Sequence, residues 1–407
     1  MKIEPDNIYI SSYNYELPPE KIAAHPLSKR DESRLLEYRE GRIHDDHFSN
    51  IVQRLPPDGL LVLNNSRVIE ARILFQKTTG ASIEIFCLEP HGQSVESGLA
   101  SHKKVQWNCM IGGASKWKPG QILEKDITVG HQQAQLFARY ITKQEDSFII
   151  EFSWQPQQLS FSEILHGAGA IPLPPYIKRN VIEEDKERYQ TVFASHEGSV
   201  AAPTAALHFT PAILEQLREK NIQIAEVTLH VGAGTFKPVK TETVATHQMH
   251  HEPFTVSKKT LEDLIHFDKV VAVGTTSLRT IESIYWLGVK LIQKGEDKWN
   301  LDQWEAYELE KYAGEINKRK SLQSLIDWMN DQKQELIHCQ TSLIIVPGYQ
   351  FKIPSALITN FHQPQSTLLL LVSAFIGEDW KKVYQHALDS GYRFLSYGDS
   401  SLLWRNT

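Results

Sequence analysis

Residues 201–239 read AAPTAALHFTPAILEQLREKNIQIAEVTLHVGAGTFKPV, and this stretch decides the fold around it. Thr210 is a favoured helix N-cap residue and Pro211 fits a first helical turn, so the aliphatic residues that follow at helical spacing predict a helix ending near Asn221. Alternating aliphatic residues then predict a strand that runs to Val231 and enters a glycine-containing loop. A helix followed directly by such a strand predicts one unit of an α/β fold.

Polar side chains at both ends of this unit predict a pocket. Thr204 and His208 precede the helix, and His230 lies at the end of the strand. Because burial of the aliphatic side chains turns His230 to the opposite face of the strand, its ring is free to face a ligand. The loop beyond it contains Gly232 and Gly234, where the missing Cβ atoms let a ligand approach the backbone closely.

The size and composition of the chain exclude several classes of protein. At 407 residues it exceeds the size at which one hydrophobic core usually keeps growing, so we expect two domains. The net charge of −6 argues against sequence-independent coating of nucleic acid, although a local basic patch on an acidic protein can still hold a structured RNA. The 3 cysteines lack a C-x-x-C spacing, and the longest apolar run, residues 368–376, is too short to span a bilayer. We therefore expect a soluble cytoplasmic protein.

The hydrophobic pattern changes near residues 71 and 154 and divides the chain. Between these positions the helical period disappears, and about five or six short alternating runs between turns predict a small barrel or sandwich. Since α/β-like sequence lies on both sides, we predict an α/β main domain, residues 1–70 and 155–407, with an inserted small all-β barrel domain, residues 71–154. The charged and aromatic residues 291–340 predict an extra helical segment packed on the main domain.

Two predicted strand ends in the main domain carry polar residues that suit ligand binding. Residues 60–63 predict a buried strand leading through Asn64 to Arg67, as either a binding loop or a capped strand end with an exposed arginine. Residues 270–273 predict a second buried strand, and a helix should begin directly after it. Backbone N–H groups at that helix start suit an anion or a carboxylate, although the hydroxyl groups there would also serve as simple caps. The spacing matches neither a P-loop nor a dinucleotide-binding glycine motif.

A proline-rich loop and a histidine cluster each allow two interpretations. The loop, residues 167–179, ends in an aromatic and two basic residues, which suit a nucleic-acid backbone and a stacked base or else a solvated linker. The cluster comprises His247, His250 and His251, at spacings that would share a helix face. A metal site is one hypothesis, but no cysteine pair accompanies them and adjacent histidines rarely ligate together, so we expect no metal.

A series of short motifs resembles one family closely. The motifs are NNSRVIEAR, IPLPPYIKR, ERYQTVFA, APTAALHFT, TLHVGAGTFKPV, VGTTSLRTIES, PGYQF, TNFHQPQSTLLLLVSAF and YRFLSYGD, in this order. They resemble the S-adenosylmethionine:tRNA ribosyltransferase-isomerase family of queuosine biosynthesis over nearly the whole chain, apart from residues 291–340. The resemblance implies an α/β main domain with an inserted β-barrel.

The resemblance also implies that S-adenosylmethionine is a ribosyl-donating substrate, with no further cofactor. Its ribosyl unit is transferred to 7-aminomethyl-7-deazaguanine at the wobble position of a tRNA anticodon and isomerises to an epoxycyclopentanediol, while adenine and methionine leave. Such a reaction needs a base for the C5′ proton, a proton donor for adenine, and donors that hold the carboxylate and the ribose. The expected partners are tRNA and S-adenosylmethionine, with no membrane, and the expected state is a monomer.

The implied site residues fall into three groups. His208 and His230 can exchange protons near neutral pH, so they are catalytic candidates with unassigned roles that we expect to line one pocket, together with Thr204. The expected substrate-binding residues are Asn64, Arg67, Pro203, Gly232, Gly234, Thr235, Phe236, Gly274, Thr275, Thr276, Ser277, Arg279, Asn360, His362, Tyr397 and Asp399. The expected tRNA-binding residues are Tyr176, Lys178 and Arg179.

Three positions depart from the family pattern. Ala206 stands where the family usually has glycine, Gln365 where it has lysine, and Ser342 where it has an acidic or amide residue. A methyl group narrows backbone approach, and loss of a lysine removes a permanent donor. The alternatives are therefore a paralogue with the same donor chemistry on another acceptor, or a non-catalytic RNA-binding relative. The retained His208 and His230 argue against the second, because RNA binding alone would not require them.

Overall fold

The computed structural model describes residues 4–405 apart from 78, 119, 146, 233–238, 240 and 296. The strands in these residues are β1 (Arg34–Arg39), β2 (Arg42–His47), β3 (Leu60–Asn64), β4 (Ser66–Val68), β5 (Arg72–Gln76), β6 (Ser82–Pro90), β7 (Lys104–Gly112), β8 (Ile122–Val129), β9 (Gln132–Lys143), β10 (Phe148–Gln155), β11 (Gly169–Ala170), β12 (His196–Ser199), β13 (Gln223–Leu229), β14 (Glu252–Ser257), β15 (Val270–Val273), β16 (Asn300–Leu301), β17 (Leu336–Thr341), β18 (Ala356–Asn360) and β19 (Ser400–Trp404). The α-helices are α1 (Ile51–Arg54), α2 (Val95–Leu99), α3 (Phe161–Ala168), α4 (Asp185–Arg188), α5 (Pro211–Glu219), α6 (Lys258–His266), α7 (Thr275–Lys294), α8 (Glu305–Leu309), α9 (Lys318–Gln332), α10 (Thr367–Ile376) and α11 (Trp380–Asp389).

A ten-stranded mixed sheet, in the order β16-β17-β14-β13-β3-β15-β18-β19-β1-β2, forms the centre of the larger body. Its middle strands β13, β3, β15 and β18 are parallel. Every residue of β3, β15 and β18 is buried, as continuous aliphatic runs predict for strands covered on both faces. The four strands end at Asn64, Leu229, Val273 and Asn360, along the carboxyl edge where open α/β sheets bind ligands.

Two helices that the local sequence predicts are confirmed. α5 begins after Thr210, whose side chain accepts a hydrogen bond from the Ile213 N–H at 3.3 Å, and its Ile213 and Leu217 side chains are buried. α7 begins directly after β15, with a glycine at its N-cap position. None of the helices in the described ranges is both long and apolar enough to cross a membrane.

Residues 291–340, predicted as an extra helical segment, contain strands as well as helices. α8 and α9 lie in this range, but so do β16 and most of β17, which extend the large sheet beyond β14. The β17 sequence LIHCQT alternates exposed and buried residues, so its pattern was readable as a strand. Residues 342–346 are buried, and the backbone N–H groups of Ser342 and Ile344 donate to the carbonyls of Leu301 and Gln303.

A seven-stranded antiparallel sheet, in the order β11-β5-β6-β7-β10-β9-β8, forms the second body and has its own hydrophobic core. It contains the short strands predicted for residues 71–154, but it continues through α3 to β11. It also includes α2, which with five residues is too short to show a helical period. The sheet curls so that Lys125 on β8 donates to the carbonyls of Leu74 at 3.1 Å and Ala168 at 2.8 Å.

An ion cluster joins the second body to the small two-stranded sheet β12-β4. His166 on α3 contacts Glu70 through Nδ1 at 2.7 Å and Glu197 on β12 through Nε2 at 3.1 Å. Hydrogen bonds to Glu197 and Glu70 raise the pKa of His166 to about 10, while the same contact lowers the pKa of Glu197 to about 2. The imidazolium therefore stays charged across the physiological range and holds α3 against β12.

This cluster predicts a pH-dependent contribution to stability. Because the folded pKa of His166 lies above its unfolded value of about 6.5, the contribution is complete below that value and is lost as the pH rises toward 10. His166→Gln should therefore lower the free energy of unfolding at pH 6 and have a smaller effect at pH 10. The side chain is 41% exposed, so solvent screening limits the effect to about 1 kcal/mol or less. Urea unfolding at both pH values measures it. His131→Gln, at an exposed turn position, is the control, and an equal loss for both variants would contradict the assignment.

Candidate active site

Two adjoining cavities lie at the carboxyl edge of the parallel strands. The smaller cavity, of about 80 Å³, lies between a short 3₁₀ turn, Thr204–His208, the end of β18 and the start of α7. The larger cavity, of about 320 Å³, lies between the start of α7 and the face of β6 and β7 that points away from their core. Both are lined by Val231, Thr275, Thr276 and Leu368. The cavities therefore form one cleft between the two sheets.

The N-terminus of α7 lies at the boundary of the two cavities. Gly274 precedes the helix with a φ of 90°, a conformation that residues with side chains rarely adopt. Thr275 and Thr276 follow, and the buried hydroxyl of Thr276 has no hydrogen-bond partner. Because the first N–H groups of a helix lack intrahelical acceptors and attract negative charge, this end is a candidate anion site.

Arg279 adds a buried positive charge one turn into α7. Its Nη1 donates to the Glu252 carboxylate at 2.5 Å, and its Nε donates to the Leu343 carbonyl at 3.0 Å. The side chain lines the larger cavity, but its buried Nη2 has no partner. An unmet buried donor costs about 1–3 kcal/mol, and a negatively charged ligand would remove that cost. Arg279 and the start of α7 thus favour the same kind of ligand.

Thr204, Asn360 and His208 form a hydrogen-bonded series at the smaller cavity. The Thr204 hydroxyl donates to Asn360 Oδ1 at 2.8 Å, and Asn360 Nδ2 donates to His208 Nε2 at 3.2 Å. His208 Nδ1 therefore carries the ring proton and donates to the Ser33 hydroxyl at 2.9 Å. Burial lowers the pKa of His208 to about 4, so the ring is neutral at physiological pH. His208 acts here as a fixed acceptor that orients the Asn360 amide.

His230 has a different environment at the larger cavity. Its Nε2 lies 3.3 Å from Glu96 Oε1, and its buried Nδ1 has no hydrogen-bond partner. The contact with His230 lowers the pKa of Glu96 to about 2, so the carboxylate is ionised and accepts the Nε2 proton. In the neutral form of the ring, Nδ1 then carries the lone pair. Glu96 lies on α2, so the second body supplies the group that sets the tautomer of this histidine.

The prediction that His208 and His230 line one cavity is wrong. The 3₁₀ turn packs the His208 ring against Phe48, with 5.0 Å between ring centroids, beside a separate cavity of about 20 Å³. The backbone N–H of His230 instead donates to the Pro253 carbonyl at 3.1 Å, which holds the residue beside β14 at the larger cavity. The two rings therefore have separate surroundings.

Several of the predicted substrate-binding residues lie outside both cavities because their side chains bond to the protein. Asn64 bridges two strand ends, since its Nδ2 donates to the Leu229 carbonyl and its Oδ1 accepts from the Leu229 N–H. Asp399 accepts from the backbone N–H groups of Arg34 and Arg393. The residues placed outside are Asn64, Arg67, Ser277, Tyr397 and Asp399. Gly234, Thr235 and Phe236 lie outside the described residues.

The remaining predicted residues meet in the cleft. His362 lies in the smaller cavity, where its Nε2 contacts the Thr359 hydroxyl at 2.8 Å and burial lowers its pKa to about 3. The predicted residues that line the smaller cavity are Pro203, Thr204, Gly274, Thr275, Thr276, Asn360 and His362. Those that line the larger cavity are His230, Gly232, Thr275, Thr276 and Arg279.

The three residues predicted to bind tRNA have separate environments. Tyr176 lines the smaller cavity, and its hydroxyl lies 2.6 Å from Ser396 Oγ. Lys178 is exposed. Arg179 is held by two hydrogen bonds of 2.6 and 2.7 Å to the buried Asp185 carboxylate, which leaves little of its guanidinium for a phosphate. An exposed lysine beside an internal ion pair fits the interpretation of this loop as a solvated linker.

The histidine cluster lines the larger cavity in an irregular loop, so the predicted shared helix face is wrong. Burial lowers the pKa of His247. In the parts of the chain that the structure describes, no group of three or more His, Cys, Asp or Glu side chains is arranged to hold a metal ion.

The positions that depart from the family pattern line neither cavity. Ala206 is fully buried in the core between α5 and the sheet. The backbone N–H of Ser342 donates to the Leu301 carbonyl at 3.0 Å. Gln365 has a φ of 55°, and its backbone bonds to Tyr13. These residues act on packing and backbone geometry outside the cleft.

Three partners of the site were not predicted from the sequence: Ser33, Glu96 and Glu252. Ser33 contacts His208, Glu96 contacts His230, and Glu252 contacts Arg279. The two members of each pair are far apart in the sequence, so no local spacing predicts the contact. The only local signal is Ser94, which caps α2 by accepting from the Ser97 N–H and so marks the helix that carries Glu96.

Comparison with known proteins finds similarity over nearly the whole chain. Residues 10–403 match the family described as queuosine biosynthesis protein. The S-adenosylmethionine:tRNA ribosyltransferase-isomerase of Thermotoga maritima is 40% identical over 404 residues, covering 97% of this chain and 99% of the relative. The proteins of the same name from Polynucleobacter asymbioticus and Trichlorobacter lovleyi are 38% and 36% identical, each over 97% of this chain. A crystal structure of S-adenosylmethionine tRNA ribosyltransferase from Thermotoga maritima aligns with 31% identity and a TM-score of 0.46, covering 97% of this chain and 100% of that one.

The packing around His230 predicts a strict need for glycine at position 198. Gly198 has a φ of 139°, and an added Cβ would lie 2.3 Å from Val95 Cγ1 and 2.7 Å from His230 Nδ1. Gly198→Ala should lower the free energy of unfolding by about 1–3 kcal/mol and displace the His230 ring. Urea unfolding and the histidine ring signals in NMR spectra measure the two effects. Gly130→Ala, with a φ of 59° and no atom within 4 Å of the new Cβ, is the control for a positive-φ glycine without a packing contact. Equal losses for both variants, with unmoved His230 signals, would contradict the packing argument.

Proposed function

This chain belongs to the queuosine biosynthesis protein family, and on that premise we propose that it is an S-adenosylmethionine:tRNA ribosyltransferase-isomerase. It transfers the ribosyl unit of S-adenosylmethionine to 7-aminomethyl-7-deazaguanine in a tRNA anticodon and isomerises it, giving epoxyqueuosine and releasing adenine and methionine. The observation that carries the proposal is 40% identity across 97% of the chain to a relative of that name. The cleft between the two sheets is the site.

The start of α7 and Arg279 hold the carboxylate of S-adenosylmethionine. The helix N-terminus offers unpaired N–H groups, the Thr276 hydroxyl is without a partner, and Arg279 Nη2 is a free charged donor. A carboxylate satisfies all three and fixes the methionine end of the donor at the boundary of the two cavities. The sulfonium and ribose then extend from this anchor into the cleft.

His230 is the base that removes the C5′ proton. The positive sulfur next to C5′ makes that proton more acidic, so a neutral imidazole is a strong enough base. The proton moves to Nδ1 once the contact of that atom with Gly198 opens, and the Glu96 carboxylate at Nε2 stabilises the imidazolium that forms. Because Glu96 is already ionised and beside Nε2, this stabilisation requires no movement of the carboxylate.

Thr204, Asn360 and His208 hold the ribose rather than exchange protons. Both ring nitrogens of His208 are engaged, and its pKa of about 4 makes it a poor proton acceptor at neutral pH. Its function is to fix the Asn360 amide, which in turn fixes the Thr204 hydroxyl at the wall of the smaller cavity. A fixed hydroxyl and amide suit the two hydroxyl groups of the ribose.

The paralogue with another acceptor is not favoured. That alternative rested on Ala206, Gln365 and Ser342, and none of these lines the cleft. The non-catalytic relative is also disfavoured, because the unpartnered polar atoms at His230, Thr276 and Arg279 suit a small ligand and carry a folding cost without one.

The domain organisation is part of the proposal. Residues 71–154 form an inserted barrel that is completed by α3, supported by its separate core and by the Lys125 bonds across the curled sheet. Lys178 contacts tRNA, and Tyr176 contributes to the wall of the smaller cavity. The expectations of a cytoplasmic monomer that needs no metal or further cofactor stay predictions.

Product analysis tests the reaction directly. With S-adenosylmethionine and tRNA that carries the precursor base, the protein should release adenine and methionine in equal amounts while the tRNA gains the ribosyl-derived mass. EDTA should leave the yield unchanged. Liquid chromatography and mass spectrometry of the products measure both quantities. Binding of S-adenosylmethionine without adenine release on this tRNA would reject the acceptor and restore the paralogue.

The role of His230 predicts a loss of turnover with retained donor binding. His230→Gln should lower kcat by about 10²-fold or more, because it removes a proton acceptor. Glu96→Gln should lower kcat by a smaller factor, since the ring keeps its place but loses its counter-charge. Single-turnover kinetics and equilibrium dialysis with S-adenosylmethionine separate the two effects. His131→Gln, at an exposed turn, should match the unmodified protein. Near-normal kcat for both site variants would remove His230 from the mechanism.

A further inference from the structure

An irregularity in β6 places an acidic side chain in the cleft. Along this strand Ile83, Ile85 and Cys87 point into the core, so strict alternation would also bury Glu89. The pairing with β7 shifts between Cys87 and Glu89, and both Leu88 and Glu89 then lie on the cavity side. Bulges of this kind commonly redirect side chains near functional sites. The irregular pairing with β7 therefore leaves the Glu89 carboxylate exposed on the cavity side.

Glu89 and its partner on β7 form a corner rich in hydrogen-bond acceptors. Asn108 stands opposite Glu89 in the strand pairing, and its Nδ2 donates to Glu89 Oε1 at 3.1 Å. That bond fixes the plane of the carboxylate and leaves lone pairs on both of its oxygens. The Oδ1 of Asn108 is buried, so the exposed Glu89 carboxylate is the group of this pair that a ligand can reach. This carboxylate suits a ligand edge that presents adjacent N–H donors.

We propose that Glu89 and Asn108 recognise the Watson–Crick edge of a guanine-type base, an inference that rests on the proposed function. Guanine and 7-deazaguanine present N1–H and the exocyclic amino group side by side, which matches a carboxylate with two hydrogen bonds. Adenine, cytosine and uracil lack this pair of adjacent donors. Leu88 and the partly exposed Met110 line the cavity beside the corner and provide apolar contact for the face of the base.

Recognition of this edge also sets the direction in which the 7-aminomethyl group of the base points. The 7-aminomethyl group lies on the side of the purine-like ring opposite the N1 and amino edge. When that edge contacts the second sheet, the amine points across the cleft toward the wall formed by His230, Thr276 and Arg279. That wall is where the ribosyl donor is held. Each sheet therefore binds one substrate, and the reacting groups meet between them.

Glu89→Gln tests the subsite because it keeps the shape and replaces one acceptor oxygen with a donor. We expect kcat/KM for the precursor tRNA to fall about 10- to 100-fold. The variant loses a charged hydrogen bond to the base, and its new amide N–H group faces an N–H donor of the base. Equilibrium dialysis should show unchanged binding of S-adenosylmethionine. Glu124→Gln, on the exposed side of β8, is the matched control and should keep the unmodified values. Unchanged kcat/KM for Glu89→Gln would overturn the proposal.

A base analogue makes the test specific to the edge. For the unmodified protein, kcat/KM should be about 10-fold lower or more with a tRNA whose precursor base lacks the exocyclic amino group. For Glu89→Gln, the same change of base should lower kcat/KM much less. Equal sensitivity in both proteins would overturn the proposal. Equilibrium binding of the two tRNAs gives the same comparison without turnover. If the unmodified protein releases no adenine, the proposed function fails, while the binding comparison still decides whether Glu89 reads the base edge.

Discussion

The shared end point of four parallel strands is the constraint on which the site depends. β13, β3, β15 and β18 are held in register by backbone hydrogen bonds, so their carboxyl ends must lie along one edge. α7 starts at this edge because it follows β15 directly, and Asn360 and His230 reach it because they end or follow β18 and β13. Burial of β3, β15 and β18 on both faces makes this arrangement costly to distort. The sheet thereby fixes the backbone positions from which the side chains of the cleft extend.

Two histidines show how surroundings decide the role of one residue type. The ring of His208 is enclosed by Phe48, Ser33 and Asn360, which satisfies both nitrogens and leaves nothing for a ligand. His230 has a carboxylate on one nitrogen and no partner on the other. Both are nearly fully buried, so burial alone does not distinguish them. The second body makes the difference, because it provides Glu96.

The sequence predicted those elements whose conformation is determined by neighbouring residues in the chain. The Thr210 cap, the buried runs of β3 and β15, and the start of α7 all follow from neighbouring residues. β17 was also readable from its alternation, but the charged residues around it favoured a helical interpretation. Glu96 and Ser33 could not be predicted, because each acts on a residue more than a hundred positions away. Residues such as Asn64 and Asp399 have the right chemistry for a ligand, but the fold uses their hydrogen bonds to join strand ends and loops.

The two edge strands of the large sheet, β16 and β2, limit the tendency of the protein to aggregate. One margin is β16, which has only two residues, and the other is β2, whose sequence RIHDDH is mostly charged or polar and largely exposed. Unpaired strand edges are the usual starting point for aggregation, and short or charged edge strands oppose it. A sheet of ten strands can thus expose both margins without offering a long apolar strand to which another chain could add.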